Sequence, residues 1–518
     1  MTTRPTDPAA PNRSRWAWAW SPRGTLALLV LWAGFHALLR LALSSALTAD
    51  DAREAVLAQS LQWGYQARQP PLYNWLAWLA FRLAGPGLLA LTLLKYGILV
   101  LAFWLVYLIA RRILADPRLA TIGAFSFLLI VPISWTIHES LTHSVAVLAA
   151  CAGTAYALIR LEQAPSMGRY AALGLALGLG LLSKFTYVVS LAGLGLAGLT
   201  VDRYRARLAH PRILVAGTVA AALVLPFALW FVGERHDLAR LYASEVRIGN
   251  GDDWLVTAGA GLAYVARIAA YYLAPLGAVL AACVPVVYRR VPPATAGPPG
   301  GRLLGWLLVW VLGLLGAAAL AGSLGFLKFR WLIPAFCLAP LYALWRLERH
   351  GGPSGRQVRA LTAVLMIAEI AVVVGLAIRV TGASHFPRPY RMNEPYDEVA
   401  SGLVRAGFTR GTILAGFGTI AGNLVVRFPD SRVLHTEYAD FEPPRSGDGQ
   451  CLLVWDRQRG DRDPVAMPAA LRALADGLGV PLTGSEPIGV VEAPFRFDRH
   501  HVRRTYYVLL PAGAGRCR

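Results

Sequence analysis

The sequence predicts an α-helical polytopic membrane protein with a small α/β domain at its C-terminal end. Three observations predict it. Of 518 residues 56% are hydrophobic and mean hydropathy is +0.48, the composition of an integral membrane chain rather than a soluble one. Long apolar runs recur near 24–44, 92–110, 119–135, 141–159, 170–182, 186–201, 212–232, 257–288, 303–322, 331–345 and 361–380, so about eleven spans are expected. Arginines gather in alternate connections between those runs, and after about residue 381 the apolar runs stop.

In chain order, residues 1–23 are rich in Pro, Arg and Trp and read as a cytoplasmic tail without order of its own. The run at 24–44 is longer than the apolar core of a secretion signal, so it is expected to remain as the first span. Arg111, Arg112 and Arg118, then Arg203, Arg205 and Arg207, then Arg346 and Arg349 mark cytoplasmic connections by positive-inside sorting. The same parity places a first loop at 45–91, a second at 233–256, a turn at 323–330 and the tail outside. Residues 24–380 thus form a transmembrane domain and 381–518 an extracytoplasmic one, in a multi-pass protein of the cell inner (plasma) membrane. Net charge is +20, yet Lys95, Lys184 and Lys328 are the only lysines. Among apolar spans such an excess reads as topology signal plus contacts to phosphate or anionic lipid, and no nucleic-acid partner is expected.

The tail carries strand-like runs at Thr412–Gly416, Leu452–Trp455 and Thr505–Leu510, alternating with helical stretches at 396–406 and 467–477. Gly418 to Asn423 reads G-x-x-x-G-N, too little for a dinucleotide fingerprint, and no nucleotide is expected. The five cysteines have no metal spacing; Cys451 and Cys517 share the tail, where a disulfide is open.

The charged residues that break the apolar pattern carry the functional reading. Thr48 to Trp75 packs Asp50, Asp51, Arg53, Glu54 and Arg68 between two apolar runs, then Gly64-Tyr65 and Pro70-Pro71. A helix over Ala52–Trp63 is expected with Asp50 at its N-cap, and Arg53 three residues on shares a face with Asp50. Carboxylates and arginine at the mouth of a membrane bundle are costly unless used. Further on, His138, Glu139 and His143 form a polar rim; the two histidines are five apart, not four, so a metal is not indicated although a divalent ion stays possible. Lys184 lies where two short apolar runs meet, beside Gly178 and Gly180, which favours a wet cavity over lipid. Lys95 opens a long run and reads as a lysine snorkelling to the interface, outside any site.

D-D-A-R, a helix, G-Y and then P-P-L resemble the first extracytoplasmic loop of polyprenyl-phosphate-dependent glycosyltransferases of the membrane C superfold, the relatives of bacterial protein O-mannosyltransferases and of the lipid A aminoarabinose transferase. L-L-S-K-F-T-Y around Lys184 is similar to that family's lysine-bearing break, and Lys328 precedes an R-W-x-x-P turn of the same kind. Asp51 stands where the family has Glu, and Gln69 where it often has a cation before Pro-Pro. The resemblance implies a glycosyltransferase-C-like fold and transfer of a sugar from a polyprenyl-phosphate donor to a glycolipid, glycan or protein among the membrane lipids. It implies Asp50 as the base beside Asp51, with Arg53, Arg68, Lys184, Arg247 (or Arg240 of the same loop) and Lys328 on the donor phosphate. Tyr65, Gln69, His138, Glu139 and His143 are candidates to line the sugar or acceptor. A transporter or lipid-linked-sugar flippase is the rival reading; it calls for internal repeats and charges near the bilayer midplane, whereas no repeat is visible and the charges collect at the outer face. A non-catalytic scaffold leaves the loop acids without a purpose.

Overall fold

The computed structural model describes residues 17–234, 254–283, 298–324, 328–438, 441, 443–444, 449–456, 465–480 and 482–513. Ser21 caps the first helix, accepting the Gly24 N–H at 3.1 Å, and Pro22 fixes its first turn. That helix, α1 (Pro22–Leu43), is followed by two short ones over the first loop, α2 (Ala49–Leu57) and α3 (Leu72–Ala84), and by the long α4 (Leu88–Ile113). Next come α5 (Pro117–Phe125), α6 (Thr142–Gln163), α7 (Met167–Ser183), α8 (Tyr187–Thr200), α9 (Ile213–Gly233), α10 (Trp254–Cys283) and α11 (Pro299–Leu320). A broken segment leads to α12 (Ala339–Arg349), and α13 (Gly355–Thr381) ends the bundle.

Among the described residues seven helices (α1, α4, α6, α9, α10, α11 and α13) are long and apolar enough to cross a membrane. Within the described residues the expected eleven runs are largely helical, but four are not plain spans. Residues 117–139 form a pair bent by 80° near Pro132, which would make an eighth span. Helices α7 and α8 are short, and the 331–345 run divides into pieces around Pro334 and Pro340. Proline removes the N–H that a continuous helix needs, so its position decides where a run breaks. Leu31, Leu38, Leu214, Leu229, Val232 and Ile367 stay exposed on the bundle's flanks, the apolar surface a bilayer covers.

The tail forms α14 (Tyr396–Arg405), β1 (Gly411–Ala415), α15 (Gly418–Val425), β2 (Arg432–His435), β3 (Gln450–Asp456), α16 (Ala469–Gly477), β4 (Gly489–Phe495) and β5 (Asp498–Leu510). The sheet order is β2-β1-β3-β5-β4, with β1 parallel to both neighbours and β5 antiparallel to both of its own. The glycine run dismissed in the sequence therefore does belong to a strand–glycine–helix–strand unit. Cys451 is disulfide-bonded, and Cys517 lies outside the described residues.

This sheet is fixed to the first loop rather than tethered beside it. A Cβ on Gly422 would sit 1.9 Å from the Ala52 carbonyl oxygen, so α15 crosses α2 at a distance only glycine allows. Asn423 accepts the Leu47 N–H and donates to the Leu47 carbonyl, both at 2.9 Å. Gln59 does the same for Val433, at 2.9 and 2.8 Å. Ala52, Ala55, Val56 and Tyr65 share one apolar core with Ile413, Ala415, Ile420 and Val433.

Candidate active site

Helix α2 begins three residues earlier than expected, with Thr48 rather than Asp50 as N-cap, and stops at Leu57 before Gln59 turns toward β2. Asp50 and Asp51 therefore lie in its first turn, where the helix dipole favours negative charge. Spacing of three aligns Asp50 with Arg53, and Asp51 with Glu54. The first pair stays partly open, with side chains 21% and 35% exposed, whereas Asp51 and Glu54 are buried.

Asp50 Oδ2 accepts the Ser140 hydroxyl at 2.9 Å and the Leu141 N–H at 3.0 Å, and Arg330 Nη1 stands 3.7 Å from it. Leu141 adopts φ of +75°, a left-handed conformation costly for a side chain of its size; it turns the backbone N–H onto the carboxylate at the start of α6. Burial pushes the Asp50 carboxyl up, but Arg330, the Ser140 and Leu141 hydrogen bonds and Lys184 outweigh it and hold the group below its ordinary 3.8. The carboxylate is thus ionised and oriented through one oxygen, and Oδ1 has no hydrogen-bond partner among the described residues.

Lys184 is buried where α7 ends, donates to Ser144 Oγ at 2.8 Å, and interacts electrostatically with Arg330, Asp50 and Lys328. Lys328 lies 5.0 Å over the Trp331 ring at the opening of the broken segment. Lys184 thus acts on Asp50, Lys328 acts on Lys184, and Arg330 joins them at the carboxylate. Arg53 instead pairs through Nε with Glu437 Oε2 at 3.1 Å, on the sheet side of α2. Arg68 is exposed on the first loop, and Arg247 and Arg240 lie outside the described residues.

Lys95 is a correction. It does not snorkel: it is buried, and its Nζ lies 2.9 Å from Asp51 Oδ1 and 3.3 Å from the Ser140 carbonyl. Asp51 also accepts from Thr48 Oγ1 at 3.2 Å, so it ties the loop to α4. Glu54, which the sequence did not single out, accepts Asn74 Nδ2 at 2.6 Å and faces His143 Nε2 at 3.0 Å. His138 is inside the bundle, 2.8 Å from the Tyr96 hydroxyl and stacked on His36 at 4.1 Å. Glu139 binds Trp135 Nε1 at 3.2 Å and the Tyr390 hydroxyl. Tyr65 donates to the Ser60 carbonyl at 2.9 Å, bracing the loop, while Gln69 Oε1 is buried without a partner among the described residues. No three His, Cys, Asp or Glu side chains converge as metal ligands among the described residues.

A bundle bearing an oriented carboxylate at one mouth, cations beside it and a docked sheet over it is the arrangement that the sequence resemblance implies for a membrane glycosyltransferase. Comparison with known proteins agrees. Residues 68–230 match the family model described as dolichyl-phosphate-mannose-protein mannosyltransferase. Two lipopolysaccharide core galacturonosyltransferases of Rhizobium johnstonii are similar: RgtB, 30% identical over 89% of this chain and 92% of its own, and RgtA, 31% identical over 91% and 94%. The chain belongs to the family of these glycosyltransferases. ArnT from Cupriavidus metallidurans shares the fold, with a TM-score of 0.59 in its apo state and 0.56 bound to undecaprenyl phosphate. Both ArnT structures are 14% identical and cover 94% of this chain and 98% of theirs.

Proposed function

We propose that the protein transfers a uronic acid from a polyprenyl-phosphate donor to a hydroxyl of the lipopolysaccharide core, at the outer face of the inner membrane, with the sheet domain in the periplasm. Asp50 takes the acceptor proton as the hydroxyl attacks the anomeric carbon, and Lys184, Lys328 and Arg330 stabilise the departing lipid phosphate. The observation that carries this reading is the pairing of a carboxylate fixed through Oδ2 with the cations Arg330 and Lys184 beside it. The sugar and acceptor classes are supported by the activity named for RgtA and RgtB, and the lipid carrier by the one bound to ArnT.

The test is transfer by purified protein from a polyprenyl-phosphate uronic acid to lipopolysaccharide core. Asp50→Asn should lower kcat by about 10²–10⁴-fold in a protein that still folds. Near-normal turnover by that variant would remove Asp50 as the base, and a product formed only from nucleotide sugar would remove the donor.

A further inference from the structure

Arg53 shares a face with Asp50, yet its ion pair is with Glu437, which follows β2 on the sheet domain. The two side chains are 35% and 30% exposed, so the pair sits at an accessible edge beside the base rather than in the core. His435, the last residue of β2, meets them. A Cβ on Gly418 would lie 3.2 Å from Glu437 Oε2, 3.4 Å from Arg53 Cγ and 3.4 Å from His435 Cε1, so all three converge over one glycine. They do so at the carboxyl end of parallel strands, just past the β1–α15 turn, the place where open α/β sheets bind ligands.

The imidazole has one unmet need. His435 Nδ1 accepts the Glu437 backbone N–H at 3.1 Å, and burial holds the group down at about 4, so it is neutral at physiological pH. A neutral ring that accepts at Nδ1 carries its proton on Nε2. That nitrogen is buried and has no hydrogen-bond partner among the described residues, in a residue 1% exposed. A buried donor without an acceptor is costly, and groups of this kind recur where a ligand supplies the missing oxygen. Tyr438 packs its ring 4.5 Å from the imidazole and borders the same spot.

We propose that Arg53 and His435 form the subsite for the carboxylate of the transferred sugar, and that Glu437 is an internal carboxylate with which it exchanges. An Arg fork matches a carboxylate through two parallel hydrogen bonds, and the His435 Nε2–H supplies a third donor. The division of charge follows: Lys184, Lys328 and Arg330 take the phosphate, and Arg53 takes a second anion on the sheet side of α2. A uronic acid presents that second anion, and its neutral hexose counterpart does not. The inference rests on the uronosyl-transfer reading above.

The experiment measures kcat/KM on two donors with one lipid phosphate, a galacturonosyl and a galactosyl form, using the full-length protein with lipopolysaccharide core. Arg53→Met and His435→Phe should lower kcat/KM for the galacturonosyl donor about 10–100-fold, mainly through KM, and leave the galactosyl donor within about threefold. Glu437→Gln should lower KM for the galacturonosyl donor, because the competing carboxylate is gone, and not change the galactosyl value. A merely structural ion pair gives the opposite sign for Glu437→Gln. Equal losses on both donors in Arg53→Met would assign Arg53 to the phosphate and overturn the subsite, as would a raised KM in Glu437→Gln. If the wild type transfers galactose as well as galacturonate, the subsite fails while lipid-linked transfer stands; if it transfers neither, the reaction itself fails.

Discussion

Lys95→Ala is the substitution on which sequence and structure disagree most, since a snorkelling lysine can be truncated with little effect. In the structure the lysine and Asp51 side chains are only 6% and 4% exposed and 2.9 Å apart. Removing the ammonium leaves the Asp51 carboxylate buried with Thr48 Oγ1 as its remaining side-chain hydrogen-bond donor. Breaking a buried pair from one side costs about 3–5 kcal/mol, far more than an exposed pair would. The strain falls on α2, because Lys95 Nζ also holds the Ser140 carbonyl and Ser140 holds Asp50. Thermal unfolding of detergent-purified protein should therefore show a clear fall in midpoint for Lys95→Ala, with activity lost alongside. Lys95→Met combined with Asp51→Leu, which removes both charges, should recover most of the stability without the loop geometry. A Lys95→Ala protein as stable and active as wild type would refute the reasoning.

Other substitutions follow from the same geometry. Lys184→Ala should raise KM for the donor and lower kcat, since negative charge grows on the departing phosphate; Lys184→Arg should restore only part, and unchanged kinetics in both would exclude the role. Burial raises the Asp50 pKa and Arg330 opposes it most, so ionised base persists above its depressed value and is lost as pH falls through it. Arg330→Met should accordingly move the acid limb of the kcat/KM profile to higher pH, and a limb that stays in place would separate Arg330 from Asp50. Gly422→Val drives a side chain into the Ala52 backbone and should undock the sheet from α2, read as new proteolytic cleavage between 381 and 411; unchanged resistance would contradict the contact.

What the sequence made legible was local. Asp50 and Arg53 share a helix face because three residues separate them, and Lys184 stands out because glycines flank a break between two short apolar runs. Span count was less legible, because Pro132, Pro334 and Pro340 break helical runs without changing their hydropathy. The partnerships were not legible at all: Lys95 reaches Asp51 across 44 residues, and Arg53 reaches Glu437 across 384. Strand β2, R-V-L-H, is four residues long and buried throughout, so it lacks the alternation that marks a half-exposed strand. The helix after Gly418 was masked by the same glycine, Gly422, that lets it touch α2.

These long-range contacts explain how a nine-residue helix can hold the Asp50 carboxylate in place. An isolated helix of that length is unstable in water, so its orientation has to come from tertiary contacts. The charges on α2 are tied to several elements: Asp50 to the α6 start and Arg330, Asp51 to α4, Glu54 to α3 and α6, and Arg53 to the sheet. The ties of Asp51 and Glu54 are buried, so they set position, whereas Asp50 is partly open on its Arg330 side. The sheet-side tie is partly exposed, and an ion pair of that exposure contributes about 0–1 kcal/mol. The spacing of three thus places Asp51 and Glu54 on the buried face of α2 and Asp50 and Arg53 on its partly open one.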